Sequence, residues 1–95
     1  MSEGRERVGP VLEAGEVADA IVQAIRAQNA DVSIEDRGAY LRVGVPRRCA
    51  VTSEEIGRHL GRPFHLPGDL ELVMPSFKGR LSLTREAVLW EVSPS

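Results

Sequence analysis

Hydrophobic positions along this chain change period from segment to segment, and the changes mark its elements. From Gly15 to Gln28, the residues Val17, Ile21, Ala24, Ile25 and Gln28 recur at i, i+3, i+4 spacing, with Glu16, Asp19, Gln23 and Arg26 on the opposite side. That spacing predicts an amphipathic helix. Glu16 and Asp19 fall in its first turn, where the helix dipole favours negative charge. From Tyr40 to Val45 the period drops to two, with Leu41, Val43 and Val45 on one face and Tyr40, Arg42 and Gly44 on the other, which predicts a half-buried strand. The same alternation predicts strands over Leu70–Met74, Leu81–Leu83 and Val88–Val92. Asp31–Ile34 reads as a further strand, closed by a turn at Glu35-Asp36-Arg37-Gly38. Val8–Leu12 has the character of a short extended segment, and Pro10, which has no N–H to donate, argues for an edge position.

Caps and breakers fill the intervals. Thr52-Ser53-Glu54-Glu55 matches a capping box, with Thr52 as N-cap and Glu55 reaching back to it. The short helix that follows has Ile56 and Leu60 as its apolar pair, Gly61 as its C′ residue and Pro63 beyond its end. Pro46 ends the strand before it, and the residues between Pro46 and Thr52 read as an extended linker. Thr84–Ala87 is short enough for a tight turn. Pro75-Ser76-Phe77-Lys78-Gly79 reads as the loop of a hairpin between Leu70–Met74 and Leu81–Leu83, with Phe77 near its tip. The expected fold is α+β: two helices packed on antiparallel strands in a small two-layer sandwich. The expected organisation is a flexible tail over residues 1–7 followed by one domain over residues 8–95.

Composition narrows the function classes. The chain has 95 residues, 42% hydrophobic and 27% charged, the profile of one globular domain. Net charge is −2 and aromatic content 4%, and along the sequence only Arg47 and Arg48 form a local basic pair, so a nucleic-acid partner is not expected. No segment is long and apolar enough to span a bilayer, and MSEGRER at the start is not a secretory leader. These features predict a soluble, cytoplasmic protein with no nucleic-acid or membrane partner.

Candidate chemistry is sparse. The single cysteine, Cys49, permits no internal disulfide and no multi-cysteine zinc site. As a nucleophile it would need a histidine base nearby; a small semi-buried filler is the simpler reading. His59 and His65 have no spaced carboxylate or cysteine to complete a metal site. Glu54 and Glu55 diverge on a helix and are explained by capping, and Glu35-Asp36-Arg37 by a turn with self-satisfied charge. No glycine pattern forms a phosphate loop. Phe77 stands apart. An apolar ring at a loop tip either anchors a partner surface or folds back onto its own sheet.

Three blocks carry a family resemblance: VSIEDRGAYLRV at Val32–Val43, EEIGRHLGRPF at Glu54–Phe64 and DLELVMPSFKGRL at Asp69–Leu81. In order and spacing they resemble the effector, or coupling, proteins of soluble bacterial diiron multicomponent monooxygenases, which include the regulatory components of methane monooxygenase and phenol hydroxylase. VGPVLEAGE at Val8–Glu16 looks most like the toluene monooxygenase branch, and nothing matches the long N-terminal tail of the methane branch. The resemblance implies a cofactor-free, non-catalytic protein. It would dock on the large α-subunit of a diiron hydroxylase, control substrate and oxygen access, and couple electron use to hydroxylation of an aromatic hydrocarbon such as toluene. A Rieske ferredoxin would compete for nearby hydroxylase surface. The same resemblance puts the partner-binding residues at Ser76, Phe77, Lys78, Gly79 and Arg80. Gly79 and Arg80 fit the family pattern, whereas Pro75 and Phe77 differ from the more polar loop of the methane branch. Glu35-Asp36-Arg37 and Gly61-Arg62 also match family blocks. The alternative function is a small α+β regulatory domain that binds a metabolite in an internal pocket.

Overall fold

The structure, a computed structural model, describes residues 6–93. The chain runs β1 (Arg7–Glu13), α1 (Glu16–Gln28), β2 (Ser33–Asp36), β3 (Tyr40–Pro46), β4 (Arg48–Thr52), α2 (Ser53–Leu60), α3 (Gly68–Glu71), β5 (Ser76–Lys78), β6 (Arg80–Leu83) and β7 (Ala87–Glu91). The strands form two antiparallel sheets, one ordered β2-β3-β1-β5 and the other β4-β7-β6. The α+β class is as expected from the sequence. β1 touches β4 and β7, and β3 touches β4, so the two sheets meet along these strands, and α1 lies against α2 and β4. Trp90, Leu12, Ile21, Ile25, Ile56, Leu70, Val8 and Val51 are all fully buried where these layers meet. No charged or polar side chain is buried with them among the described residues. The Trp90 indole nitrogen is buried there without a hydrogen-bond partner among the described residues.

The best-patterned segments fold as the sequence predicts. α1 buries Ala18, Ile21, Val22, Ala24 and Ile25 and keeps Glu16, Asp19, Gln23 and Arg26 in solvent. β3 turns Val43 and Val45 inward, and β7 does the same with Val88 and Trp90. Half of the capping box forms. Thr52 Oγ1 accepts the Glu55 N–H at 3.2 Å, and Gly61 closes α2 in the left-handed region at φ 85°. The other half does not, because the Thr52 N–H donates to Gln28 Oε1 at 2.9 Å. The Glu55 carboxylate instead takes Arg58 at 3.4 Å and His59 at 3.1 Å.

Several expectations are corrected. β1 is an interior strand, paired on both sides, and Pro10 is fully buried. The ladder to β3 passes from Val8↔Val45 to Val11↔Arg42 without a pair at Gly9 or Pro10, so the absent N–H falls where the ladder is already open. β1 begins at Arg7, so that residue leaves the expected tail; residues 1–5 lie outside the described part. β2 sits two residues later than expected, with Glu35 and Asp36 inside it and the turn at Arg37-Gly38-Ala39.

The linker after Pro46 is strand β4. Arg47, at φ 72°, turns the chain from one sheet to the other. It is held there because its N–H donates to Glu6 O and its carbonyl accepts from the Val92 N–H. Leu70–Met74 is not a strand. Asp69 Oδ2 accepts the His65 N–H at 2.8 Å, and the N–H groups of Val73 and Met74 both donate to Leu70 O. The three apolar residues Leu70, Val73 and Met74 therefore follow helical spacing, and Leu72 is thrown outward.

The free edge of β4 is closed by side chains. Asn29 Nδ2 donates to Ala50 O at 2.7 Å and to Ile25 O at 2.9 Å, and the Ala50 N–H donates back to Asn29 Oδ1 at 3.1 Å. The side-chain amide thus acts as one more strand residue and ties the end of α1 to the sheet. Asn29→Ala leaves the partly buried Ala50 peptide without these partners, which costs about 2 kcal/mol. Urea denaturation should show that loss, and a much smaller one for Gln28→Ala, whose bonds to Thr52 are solvent-exposed.

Candidate functional site

The segment Ser76–Arg80 is built differently from a hairpin loop. Ser76–Lys78 forms β5 at the edge of the four-stranded sheet, with Val11↔Ser76, Pro10↔Phe77 and Gly9↔Lys78 as its pairs. Arg80 already belongs to β6 in the other sheet, opposite Glu91. Gly79 makes the step between sheets. At φ 107° it lies in the region that favours glycine, and a Cβ there would come within 2.8 Å of Glu91 O and Val8 Cγ1. The five residues therefore lie together, along the seam where one sheet passes into the other.

Phe77 is 41% exposed on β5. It is neither sealed into the core nor held out on a mobile tip. The other large apolar side chains exposed among the described residues are Leu72, at 77%, and Tyr40, at 37%. They are near in the fold, since Tyr40 pairs with Glu13 and the Glu13 N–H donates to Val73 O at 2.8 Å.

A hollow of about 360 Å³ opens on the outer face of the four-stranded sheet and includes Ser76, Phe77 and Lys78 in its wall. Arg7, Ser33, Arg42 and Gly44 complete much of the rest. Sequence reading missed Arg7 because it assigned that residue to the tail, and it could not bring Ser33 beside the others because their meeting depends on strand order. The alternation of β3 did place Arg42 and Gly44 on the outer face.

The remaining candidates resolve simply. Cys49 is 0% exposed on β4, opposite Trp90, and burial pushes its thiol up to about 12. A buried, protonated thiol is not a nucleophile at neutral pH. His59 is paired with Glu55, and His65 is exposed in the connection before α3. Among the described residues no group of three metal-ligating side chains comes together. Glu35 pairs with Arg37 at 3.4 Å, and Asp36 Oδ1 accepts the Gly38 N–H at 2.8 Å, so this cluster does hold the β2–β3 turn.

These features define an α+β module whose unspent surface is a sheet edge and the outer face beside it. The sequence model of the MmoB/DmpM family matches residues 6–91, and the chain belongs to that family. The effector subunit of the alkene monooxygenase system of Xanthobacter autotrophicus (strain ATCC BAA-1158 / Py2) is 41% identical over 85 residues, covering 87% of this chain and 83% of that protein. Among solved structures, a chain of the phenol hydroxylase–regulatory protein complex superposes with a TM-score of 0.79 at 16% identity, covering 92% of this chain and 98% of that one. The soluble methane monooxygenase regulatory protein B superposes with a TM-score of 0.69 at 22% identity, covering 92% of this chain and 65% of the other. Both likenesses are of fold.

The Cys49 assignment has a pH signature. Between pH 7 and about 9, iodoacetamide should label the native protein slowly, at a rate that does not follow thiolate formation, while the urea-unfolded chain labels faster as pH rises. The folded thiol keeps its proton to about 12 while the unfolded thiol titrates near 9.0. The stability this group contributes is therefore complete below pH 9 and is lost as pH climbs from there toward 12.

Proposed function

We propose that the protein is the non-catalytic effector subunit of a multicomponent monooxygenase, docking on the hydroxylase component to control substrate and oxygen access and to couple electron transfer to hydroxylation. The observation that carries the reading is the family match over residues 6–91 together with 41% identity to an alkene monooxygenase effector over most of both chains. In thermodynamic terms, the effector binds one hydroxylase conformation more tightly than the other and so raises its population. The substrate class follows the family more loosely. Resemblance to the toluene branch and identity to an alkene-system effector together point to an unsaturated hydrocarbon, arene or alkene. The protein acts in the cytoplasm, and a Rieske ferredoxin competes with it for hydroxylase surface. No helix among the described residues is long and apolar enough to cross a membrane.

The contact is proposed to centre on Ser76, Phe77, Lys78, Gly79 and Arg80. A half-exposed ring on a short edge strand loses little to the fold and gains when a partner covers it. The metabolite-binding alternative would need an internal pocket, whereas the hollow found here lies on the outer face of a sheet.

Mixing the protein with its cognate hydroxylase, ferredoxin and reductase should raise product formed per electron consumed, with toluene or a small alkene as substrate. No change in rate, coupling or regiospecificity would reject the effector reading. Phe77→Ala should weaken complex formation by about 1–3 kcal/mol while the unfolding midpoint stays close to the parent value. Unchanged affinity would mean that Phe77 serves its own sheet.

A further inference from the structure

We propose that the hollow on the outer face of the four-stranded sheet receives an acidic segment of the hydroxylase, a carboxylate-bearing stretch that settles between Arg42 and Lys78. The inference rests on the effector reading and deepens it. All four strands contribute to the hollow: Ser33 and Glu35 from β2, Arg42 and Gly44 from β3, Arg7 from β1 and Lys78 from β5. Three cations there face one carboxylate, in a chain whose net charge is −2. The positive excess is therefore local and runs against the molecule as a whole.

The lone carboxylate is already engaged, since Glu35 pairs with Arg37. Arg7 is partly engaged as well. Its Nη1 donates to Asp31 O at 2.9 Å, and its guanidinium lies 3.5 Å from the Asp31 carboxylate. Arg42 and Lys78 form no ion pair among the described residues. They are exposed, on strands that flank β1 from either side. A carboxylate seated between them would meet charge from two strands without displacing an existing pair.

Gly44 keeps the hollow open. A Cβ at that position would stand 3.1 Å from Ser33 Oγ and 3.2 Å from Arg7 Cβ, so a side chain would crowd Arg7 and fill the space. Val11 lies in the same wall and gives the cations an apolar neighbour. The hollow is also continuous, through Ser76 and Lys78, with the contact proposed above. Electrostatic complementarity of this kind chiefly speeds and orients docking, and salt screens it.

The test measures the dissociation constant of the full chain with its cognate hydroxylase at low and high ionic strength, for the parent, Arg42→Glu, Lys78→Glu and Arg85→Glu. Arg85 is exposed in the β6–β7 turn, away from the hollow, and serves as the control. Arg42→Glu and Lys78→Glu should each weaken binding about 5–10-fold at low salt and flatten its salt dependence, with thermal unfolding unchanged. Arg85→Glu should match the parent. Parent-like affinity and salt slope in both hollow variants would overturn the proposal and leave the effector reading standing. A parent protein that does not bind the hydroxylase would reject the effector reading and this proposal with it. Displacement of amide resonances around Gly9 and Gly44 by inorganic phosphate or succinate, in the free protein, would reassign the hollow to a small anion and also overturn the proposal.

Discussion

The architecture depends on β1 being an interior strand with Pro10 in its middle. Val8, Pro10 and Leu12 are all buried on the face where the two sheets meet, and β1 touches both β4 and β7 of the other sheet. An interior proline is tolerated because the ladder to β3 carries no pair at Gly9 and Pro10. Gly9 is also needed there on steric grounds, since a Cβ would fall 2.5 Å from Val43 O. On its other side β1 holds only β5, three residues long and paired across the same Gly9–Val11 stretch. The short strand that carries Phe77 and Lys78 is therefore placed by the irregular part of β1, and Gly79 then delivers the chain to β6.

Legibility of the fold in the sequence followed how local each constraint was. α1, β3, β7 and the cap of α2 were readable because each is written in a few neighbouring residues: a 3.6-residue period, a clean alternation, a threonine three residues before a glutamate. β4 was hidden for the opposite reason. The chain reverses at Arg47, a non-glycine residue in the left-handed region, which is held by Glu6 and Val92 from distant parts of the chain. Leu70–Met74 alternates as a strand would, but Leu70, Val73 and Met74 satisfy helical spacing equally, and the backbone bonds of Val73 and Met74 to Leu70 O, with Asp69 tied back to the His65 N–H, decide the matter. Period alone cannot separate the two in so short a run.

The candidate site was legible in part for the same reason. Segment Ser76–Arg80 stood out because a phenylalanine flanked by serine and lysine has no local explanation. Its real setting, β5 followed by a step between sheets, depends on pairing with β1 some sixty-odd residues earlier and could not be read from neighbours. Arg42 and Gly44 were legible as outward positions of β3, but their meeting with Arg7 and Lys78 required the strand order β2-β3-β1-β5.

The treatment of the sheet margins bears on where a partner can attach. Open strand edges invite unwanted pairing, and folds blunt them by shortness, charge or cover. Here β4 is covered by the side-chain amides of Gln28 and Asn29. β2 carries Glu35 and Asp36, both spent in its own turn. β5 is kept to three residues and carries Lys78. Backbone pairing is thus discouraged around the four-stranded sheet, yet Phe77, Leu72 and Tyr40 remain exposed beside it. A surface that limits edge-to-edge pairing while leaving apolar side chains uncovered favours docking through side chains. Specificity then rests on shape and charge, and the contact can form and release without adding a strand to either protein.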